Sequence, residues 1–183
     1  MPEFEVIQQI FLFHHHALPK DKKNFDALKG NGFISLDPSP HYVCGLSCDD
    51  LFSQFQGVSA FMPSEQEIKH LTKDSNFEEL KSIAAALCES GFTEVIVKVG
   101  AKGCLVAGED GVRHVPSETV SKLVDSTGAG DATAAYIASF GIDDLIPTIK
   151  NACAAGAIVA GTNEKPTLEK IQEISSLVDV NLR

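Results

Sequence analysis

Residues 125–131, with the sequence DSTGAGD, combine the residue types that phosphate binding requires. Gly128, Ala129 and Gly130 come directly before an alanine-rich run whose composition favours a helix. The first amides of a helix have no partners within it, and the helix dipole places partial positive charge at the same end. A side chain at either glycine would hold a phosphate oxygen away from these amides. The segment is therefore predicted to bind an anion without lysine or arginine.

Asp131 falls in the first turn of this predicted helix, beside the anion pocket. A carboxylate there can accept the proton of an attacking hydroxyl while a phosphoryl group leaves ATP. Alternatively, it only complements the helix dipole, an effect of a few tenths of a kcal/mol. Spacing alone gives the two interpretations equal weight. No G-K-[ST] follows and no G-x-G-x-x-G is present, so the segment is neither a Walker motif nor a dinucleotide motif.

The elements that must position this segment alternate between strand and helix patterns along the chain. Such alternation predicts the α/β class, with a mostly parallel sheet covered by helices on both faces. Strands are predicted at 33–37, 58–62 and 93–100, followed by an antiparallel hairpin at 104–107 and 111–115. Helices are predicted at 49–55, 64–71 and 76–90, from the glycine-rich segment to about 140, and at 145–160 and 167–177.

Composition limits the function classes. A length of 183 residues predicts one domain, and 25 acidic against 15 basic residues give a net charge of −10, which argues against a nucleic-acid partner. No apolar run approaches the roughly 20 residues of a membrane span, so no membrane association is expected. The five cysteines are scattered and odd in number, which predicts a reduced, cytoplasmic protein. Cys44 and Cys48 lack a second ligand pair for zinc, and residues 14–16, three histidines, are interpreted as a strand and its exit.

The glycine-rich segment resembles the signature of the ribokinase-like (PfkB) carbohydrate kinase family, D-T-x-G-A-G-D. It matches at Asp125, Gly128, Ala129, Gly130 and Asp131, with Ser in the place of Thr. FISLDPSP, FMPSEQEI, VIVKVGAKGCLVA and NACAAGAIVA follow in the family's order. The resemblance implies a ribokinase-like fold, ATP and Mg²⁺ as cofactors, and the hydroxyl of a sugar or related small molecule as the acceptor. It also implies that Asp131 is the catalytic base and that the three small residues form the anion hole.

Further nucleotide-binding positions are implied by the same resemblance. The strand-to-loop segment along which family members bind ATP corresponds here to Lys98, Gly100, Ala101, Lys102 and Gly103. Its two glycines are expected to permit close backbone approach, although a strand with an ordinary turn is the alternative. Asn151 is similar to a residue that lines the nucleotide pocket in relatives, with a plain helical asparagine as the alternative.

Two metal sites are implied less directly. MPSEQE is similar to the family's P-N-x-x-E and places Glu67 near magnesium-bound phosphates, but Ser64 stands where asparagine is usual. A simple capping box between these two residues is an equal alternative. Asp125 and Thr127 correspond to a monovalent-cation site of the family. The later part of that site corresponds to GTNEKPT, which follows the family pattern poorly, so K⁺ binding is left undecided. Thr133 replaces the Phe often found two residues after the base.

Complete family members have an N-terminal part with a glycine-rich substrate site and a small lid. This chain opens with MPEFEVIQQIFLF and reaches the middle of the expected sheet almost at once. It is therefore interpreted as the C-terminal portion of a PfkB-type kinase, expected to bind nucleotide and to be weak or inactive alone. An uncovered sheet edge predicts a homodimer or a partner chain. A non-catalytic nucleotide-sensing module and a structural fragment without a ligand are the competing hypotheses.

Overall fold

The computed structural model describes residues 9–14, 32–38, 43–69, 77–118, 123–162 and 164–178. Its strands are β1 Gln9–His14, β2 Gly32–Asp37, β3 Ala60–Phe61, β4 Glu94–Lys98, β5 Cys104–Gly108 and β6 Gly111–Val115. Its helices are α1 Cys48–Phe55, α2 Glu65–Lys69, α3 Phe77–Glu89, α4 Ala129–Phe140, α5 Leu145–Thr162 and α6 Leu168–Ser176. Three predicted segments extend beyond the described residues. They are the histidine triplet after residue 14, the helix predicted at 64–71 after residue 69, and the helix predicted at 76–90 at its first residue.

The strands form one sheet in the order β1-β2-β3-β4-β5-β6. Strands β1 to β4 are parallel, whereas β4–β5 and β5–β6 are antiparallel. The predicted hairpin is therefore confirmed, and so is the mostly parallel sheet. Strand β3 is shorter than predicted, because only Ala60 and Phe61 pair with both neighbouring strands.

Alternating side chains divide the core into two layers. On β4, Val95 and Val97 face one side, where they pack with α1, α2 and α3. Ile96 faces the other side, where the core includes Ala134 of α4 and Ile149 of α5. Because a buried parallel sheet needs helices on both faces, these two layers explain why the central strands are apolar throughout.

Helix α5 has the length and apolar content that a membrane span needs, and it is the one such helix among the described residues. The same test is passed by core helices of globular proteins. Here α5 packs between α4 and α6, and residues 152–158 are all buried in that packing. Its composition is thus explained by its central place in the helical layer.

The loop after β4 differs from the predicted strand over 93–100. The strand ends at Lys98, and Gly100–Lys102 forms a 3₁₀ turn. Gly100 has a φ of +60° and Gly103 has a φ of +92°, a region that side chains other than glycine rarely adopt. These two glycines therefore end the strand and return the chain into β5.

We expect Glu94, the first residue of β4, to make the free energy of unfolding depend on pH. One of its carboxylate oxygens is buried without a hydrogen-bond partner in the described part of the chain. Burial, and then the Glu109 carboxylate, raise the pKa of Glu94, while Arg113 opposes them. A raised pKa means that the ionised form disfavours the folded state, so this group costs stability as the pH rises through that pKa.

Glu94→Gln is therefore expected to raise the melting temperature at pH 7 by about 1–4 °C, and to change it little at pH 4. Thermal unfolding followed by circular dichroism at both pH values measures this. Glu89→Gln, at the exposed end of α3, is the control. A lower melting temperature for Glu94→Gln at pH 7 would show that the carboxylate is stabilised instead.

Candidate active site

The turn before α4 is held by hydrogen bonds at both ends. The amides of Val124 and Asp125 donate to the carbonyl of Ala160 near the end of α5, at 2.9 and 3.2 Å. Oδ1 of Asp125 then accepts from the Thr127 amide at 2.9 Å. Hydrogen bonds from the Thr127 amide, and then from its hydroxyl, hold the pKa of Asp125 below its ordinary value. Gly128 caps the helix with a φ of +80°, as this turn requires.

The predicted anion-binding amides differ in how they are used. The Ala129 amide donates to the Ser126 carbonyl at 3.2 Å, so this nitrogen is partly engaged within the turn. Within the described ranges, no protein acceptor lies opposite the Gly130 amide. Helix α4 runs for 12 residues behind it, so the positive end of its dipole lies at the same place. The Gly130 amide is therefore the clearest donor for an anion.

Protein packing does not explain why residue 130 is glycine. A Cβ built on Gly130 would have one near atom, Nζ of Lys98 at 3.9 Å, which is an ordinary contact distance. Its φ is not in the left-handed region. The protein itself therefore leaves room for a side chain here, at a residue that lines the cavity described below. A ligand that approaches the backbone closely would explain the glycine.

A cavity of about 370 Å³ opens beside this helix end. Its size falls within the range of small-molecule sites, and such sites are largely apolar with a few polar groups. The cavity brings together α4, α5, the loop after β4 and the loop after β6. Its lining residues are Lys98, Gly100, Ala101, Gly103, Cys104, Ser117, Glu118, Leu123, Ser126, Ala129, Gly130, Thr133, Cys153, Gly156, Ala157 and Ala160.

The floor of the cavity was not predicted from the sequence. The sulfur atoms of Cys104 on β5 and Cys153 on α5 lie 3.5 Å apart, and both residues are buried. The Cys153 thiol donates a hydrogen bond to the sulfur of Cys104, and this bond, and then burial, raise the pKa of Cys153. The two side chains therefore form a sulfur-lined floor of the cavity. No local spacing signals this contact, because the two residues are far apart in the sequence.

Thr133 has a defined packing role. Its hydroxyl donates to the Ala129 carbonyl at 3.0 Å, and its side chain lies against Gly156 on the facing helix. A Cβ on Gly156 would come within 2.5 Å of this hydroxyl oxygen and 3.0 Å of the Ala129 carbonyl oxygen. The absence of a side chain at Gly156 thus lets α5 approach the first turn of α4.

The two glycines of the predicted nucleotide loop, Gly100 and Gly103, have different explanations. Gly103 cannot carry a Cβ, because the atom would lie 2.1 Å from the Val115 carbonyl oxygen. Its glycine is thus required by packing against the end of β6. Nothing lies within 4 Å of a Cβ built on Gly100, which lines the cavity with Ala101. Lys102 is outside the lining, and its carbonyl accepts a hydrogen bond from Nε2 of His114 at 2.6 Å.

Asp131 and Asn151 lie near the cavity but do not line it. Asp131 is exposed in the first turn of α4, directly after Gly130. Asn151 is half-buried on α5, less than one turn before Cys153. The roles of both residues stay predictions.

Glu67 forms the capping box that the sequence left as an alternative. Its Oε2 accepts from the Ser64 amide at 2.6 Å, and the Ser64 hydroxyl accepts from the Glu67 amide at 3.3 Å. Across the described ranges, no cluster of three or more acidic, histidine or cysteine side chains is placed to hold a metal. Glu67 therefore has a structural role in this capping box. Its predicted magnesium role and the monovalent-cation site at Asp125 and Thr127 stay predictions.

A helix end that opens on a cavity at the carboxyl end of a strand is an arrangement that α/β proteins use to bind phosphate. The family model of the pfkB family carbohydrate kinases matches residues 27–170. The chain therefore belongs to the pfkB family, and its fold is ribokinase-like, as predicted.

Similar proteins agree with this assignment. A protein named uncharacterized sugar kinase from Archaeoglobus fulgidus is 37% identical over 101 residues, which are 54% of this chain and 37% of that protein. A deoxyribokinase from Salmonella typhi is 29% identical over 126 residues, 66% of this chain and 41% of that protein.

Among solved structures, a putative ribokinase II from E. coli in its apo form is 29% identical, with a TM-score of 0.64. The match covers 90% of this chain and 55% of that one. A ribokinase from Thermotoga maritima is 28% identical, also with a TM-score of 0.64, over 82% of this chain and 51% of that one. The chain thus spans about two fifths of the two curated relatives named above and about half of these solved chains.

Proposed function

We propose that this chain supplies the ATP site and the catalytic base for phosphoryl transfer to a hydroxyl of a sugar or related small molecule. The observation that carries the proposal is Gly130. Its amide lies at the start of α4, no protein acceptor among the described residues uses it, and no packing contact requires a glycine there. The names of the relatives, sugar kinase and deoxyribokinase, support a sugar as the acceptor class.

The proposed mechanism assigns separate tasks to neighbouring groups. The amides of Gly128 and Gly130 stabilise negative charge on the transferring phosphoryl group, with Ala129 as a weaker third donor. Asp131 accepts the proton of the attacking hydroxyl from its exposed position one residue later. The cavity over Gly100 and Ala101 holds the rest of the nucleotide. The sulfur-lined floor excludes water from that part of the site.

Magnesium fits this site as a partner of the nucleotide. Mg²⁺ is usually held by one or two carboxylates together with substrate phosphates and water, so a full protein cage is not required. Glu67 is the proposed carboxylate, through the oxygen that the capping box does not use. The ion would supply charge neutralisation of the phosphates when bound. A potassium site at Asp125 and Thr127, a cytoplasmic location, and a homodimer or partner chain over the sheet edge are parts of the same proposal.

A second candidate function is a nucleotide-binding module without turnover. It is favoured by one observation, that Asp131 does not line the cavity beside the start of α4. In that case the helix end binds ATP, but no acceptor hydroxyl is oriented beside Asp131.

Calorimetric titration with ATP, with and without magnesium, tests the nucleotide site. We expect binding that is stronger with magnesium, since the ion neutralises phosphate charge at an acidic protein. A coupled assay for ADP release with ribose or deoxyribose tests turnover, which we expect to be weak for this chain alone. Absence of ATP binding would overturn the proposal. Fast sugar phosphorylation would contradict only the expected weak turnover of this chain alone. ATP binding without turnover, even in a chimera with a relative's amino-terminal half, would favour the second candidate function.

A further inference from the structure

A buried ion pair joins the ends of two parallel strands. Nζ of Lys98 lies 2.5 Å from Oδ1 of Asp37, and the two side chains are only 11% and 5% exposed. In each of four other ion pairs between described residues, at least one side chain is 46% exposed or more. Burying two charges costs desolvation energy that their attraction often only balances. Stability alone is therefore a poor explanation for this pair.

The alternation of side chains places the pair on the face of α4. On β4, Ile96 packs in the α4 and α5 layer, and Lys98 follows it by two residues on the same face. On β2, Phe33 packs in that layer too, and Asp37 follows it by four residues. Both charged residues end their strands at the carboxyl edge of the sheet, where ligands of open α/β folds bind.

The ammonium group of Lys98 also lies close to the anion-binding amides. It is 3.9 Å from the position that a Cβ on Gly130 would occupy, and Lys98 lines the cavity. A positive charge is thus held beside the start of α4, in a protein whose net charge is −10. Among the described residues, Asp37 is the acceptor recorded for this ammonium group, which has three donors and therefore capacity for phosphate oxygens.

We propose that Lys98 binds the terminal phosphate of the nucleotide directly and that Asp37 is a positioning residue that holds its ammonium there. The inference rests on the proposed function and deepens it, because it names the phosphate that the lysine selects. A free lysine side chain loses rotamer entropy when it is fixed, and the Asp37 contact fixes it before the ligand arrives. Asp37 itself makes no contact with the nucleotide in this proposal.

The measurement is the affinity of the 183-residue chain for Mg-ATP, Mg-ADP and AMP by calorimetric titration. Lys98→Met is expected to weaken Mg-ATP binding by about 10- to 100-fold, the equivalent of one charge-assisted hydrogen bond, and to leave AMP binding unchanged. Asp37→Asn is expected to weaken Mg-ATP by about three- to tenfold, since the ammonium stays charged but mobile. Lys81→Met, which removes a partly exposed lysine on α3, should change none of the three affinities.

The double variant Lys98→Met with Asp37→Asn separates positioning from packing. Because Asp37 acts through Lys98, the double variant should bind Mg-ATP as Lys98→Met alone does. It also leaves no buried charge without a partner, so it decides the question if Lys98→Met does not fold by circular dichroism.

Three outcomes would overturn the inference. Equal loss of ATP, ADP and AMP affinity would show that the Lys98–Asp37 pair has only a structural role. An unchanged preference for ATP over ADP in the Lys98 variants would show that the lysine does not reach the terminal phosphate. In both cases the nucleotide site itself would stand. If the wild-type chain binds no nucleotide, the proposed function fails and this inference fails with it.

Discussion

Replacing Gly130 by valine is expected to weaken Mg-ATP binding by about 100-fold or more, because the side chain would cover the amides that bind the phosphate. The fold should tolerate the change. A Cβ at this position has a single ordinary contact at 3.9 Å, and valine has a better helix propensity than glycine. The measurement is a calorimetric titration, together with thermal unfolding to show that the variant is folded.

Ala135→Val is the matched control for this variant. It adds the same branched side chain to the same helix, at an exposed position just over one turn further on. It should bind Mg-ATP like the wild-type chain. Wild-type affinity in Gly130→Val would mean that the start of α4 is not the phosphate site. A large drop in melting temperature would instead show that residue 130 is glycine for packing reasons.

The second large effect is expected for Asp131→Asn. Asparagine keeps the shape of the side chain but cannot accept the hydroxyl proton, so turnover should fall by about 10²- to 10⁴-fold. Mg-ATP affinity should stay within about twofold, because the interaction is needed in the transition state and not in the nucleotide complex. Since the isolated chain is expected to be weak, the assay uses a chimera. It carries the amino-terminal part of the Salmonella deoxyribokinase ahead of β2.

Asp143→Asn, an exposed carboxylate after the end of α4, is the control for the loss of one negative charge. It should keep the turnover of the parent chimera. If Asp131→Asn also keeps it, Asp131 only complements the helix dipole, which is the alternative that the sequence left open. If the parent chimera binds ATP but transfers no phosphate, the non-catalytic module is favoured.

Local patterns in the sequence were sufficient to predict most elements of the fold. The capping box between Ser64 and Glu67, the hairpin around the turn at Gly111, and the glycine-rich start of α4 all depend on residues a few positions apart. Such interactions follow from spacing alone. The length of β3 did not follow, because the apolar residues between 58 and 62 are buried whether or not they pair in the sheet.

Contacts between distant segments account for what the sequence could not predict at the site. The Cys104–Cys153 floor depends on the register of β5 against α5, and the Lys98–Asp37 pair depends on two strands separated by β3. One local signal for Asp37 was present, since it ends a strand directly before a proline at the carboxyl edge of the sheet. Its partner across the sheet could be found only in three dimensions.

Main-chain amides at the start of α4 are proposed to bind the terminal phosphate. An amide NMR titration of the ¹⁵N-labelled chain with Mg-ATP and, separately, with AMP tests this most directly. We expect the Gly130 amide proton, and to a smaller extent that of Gly128, to shift downfield with Mg-ATP and not to move with AMP. Amide shifts confined to other parts of the chain, with residues 128–131 unmoved at saturating ATP, would contradict it.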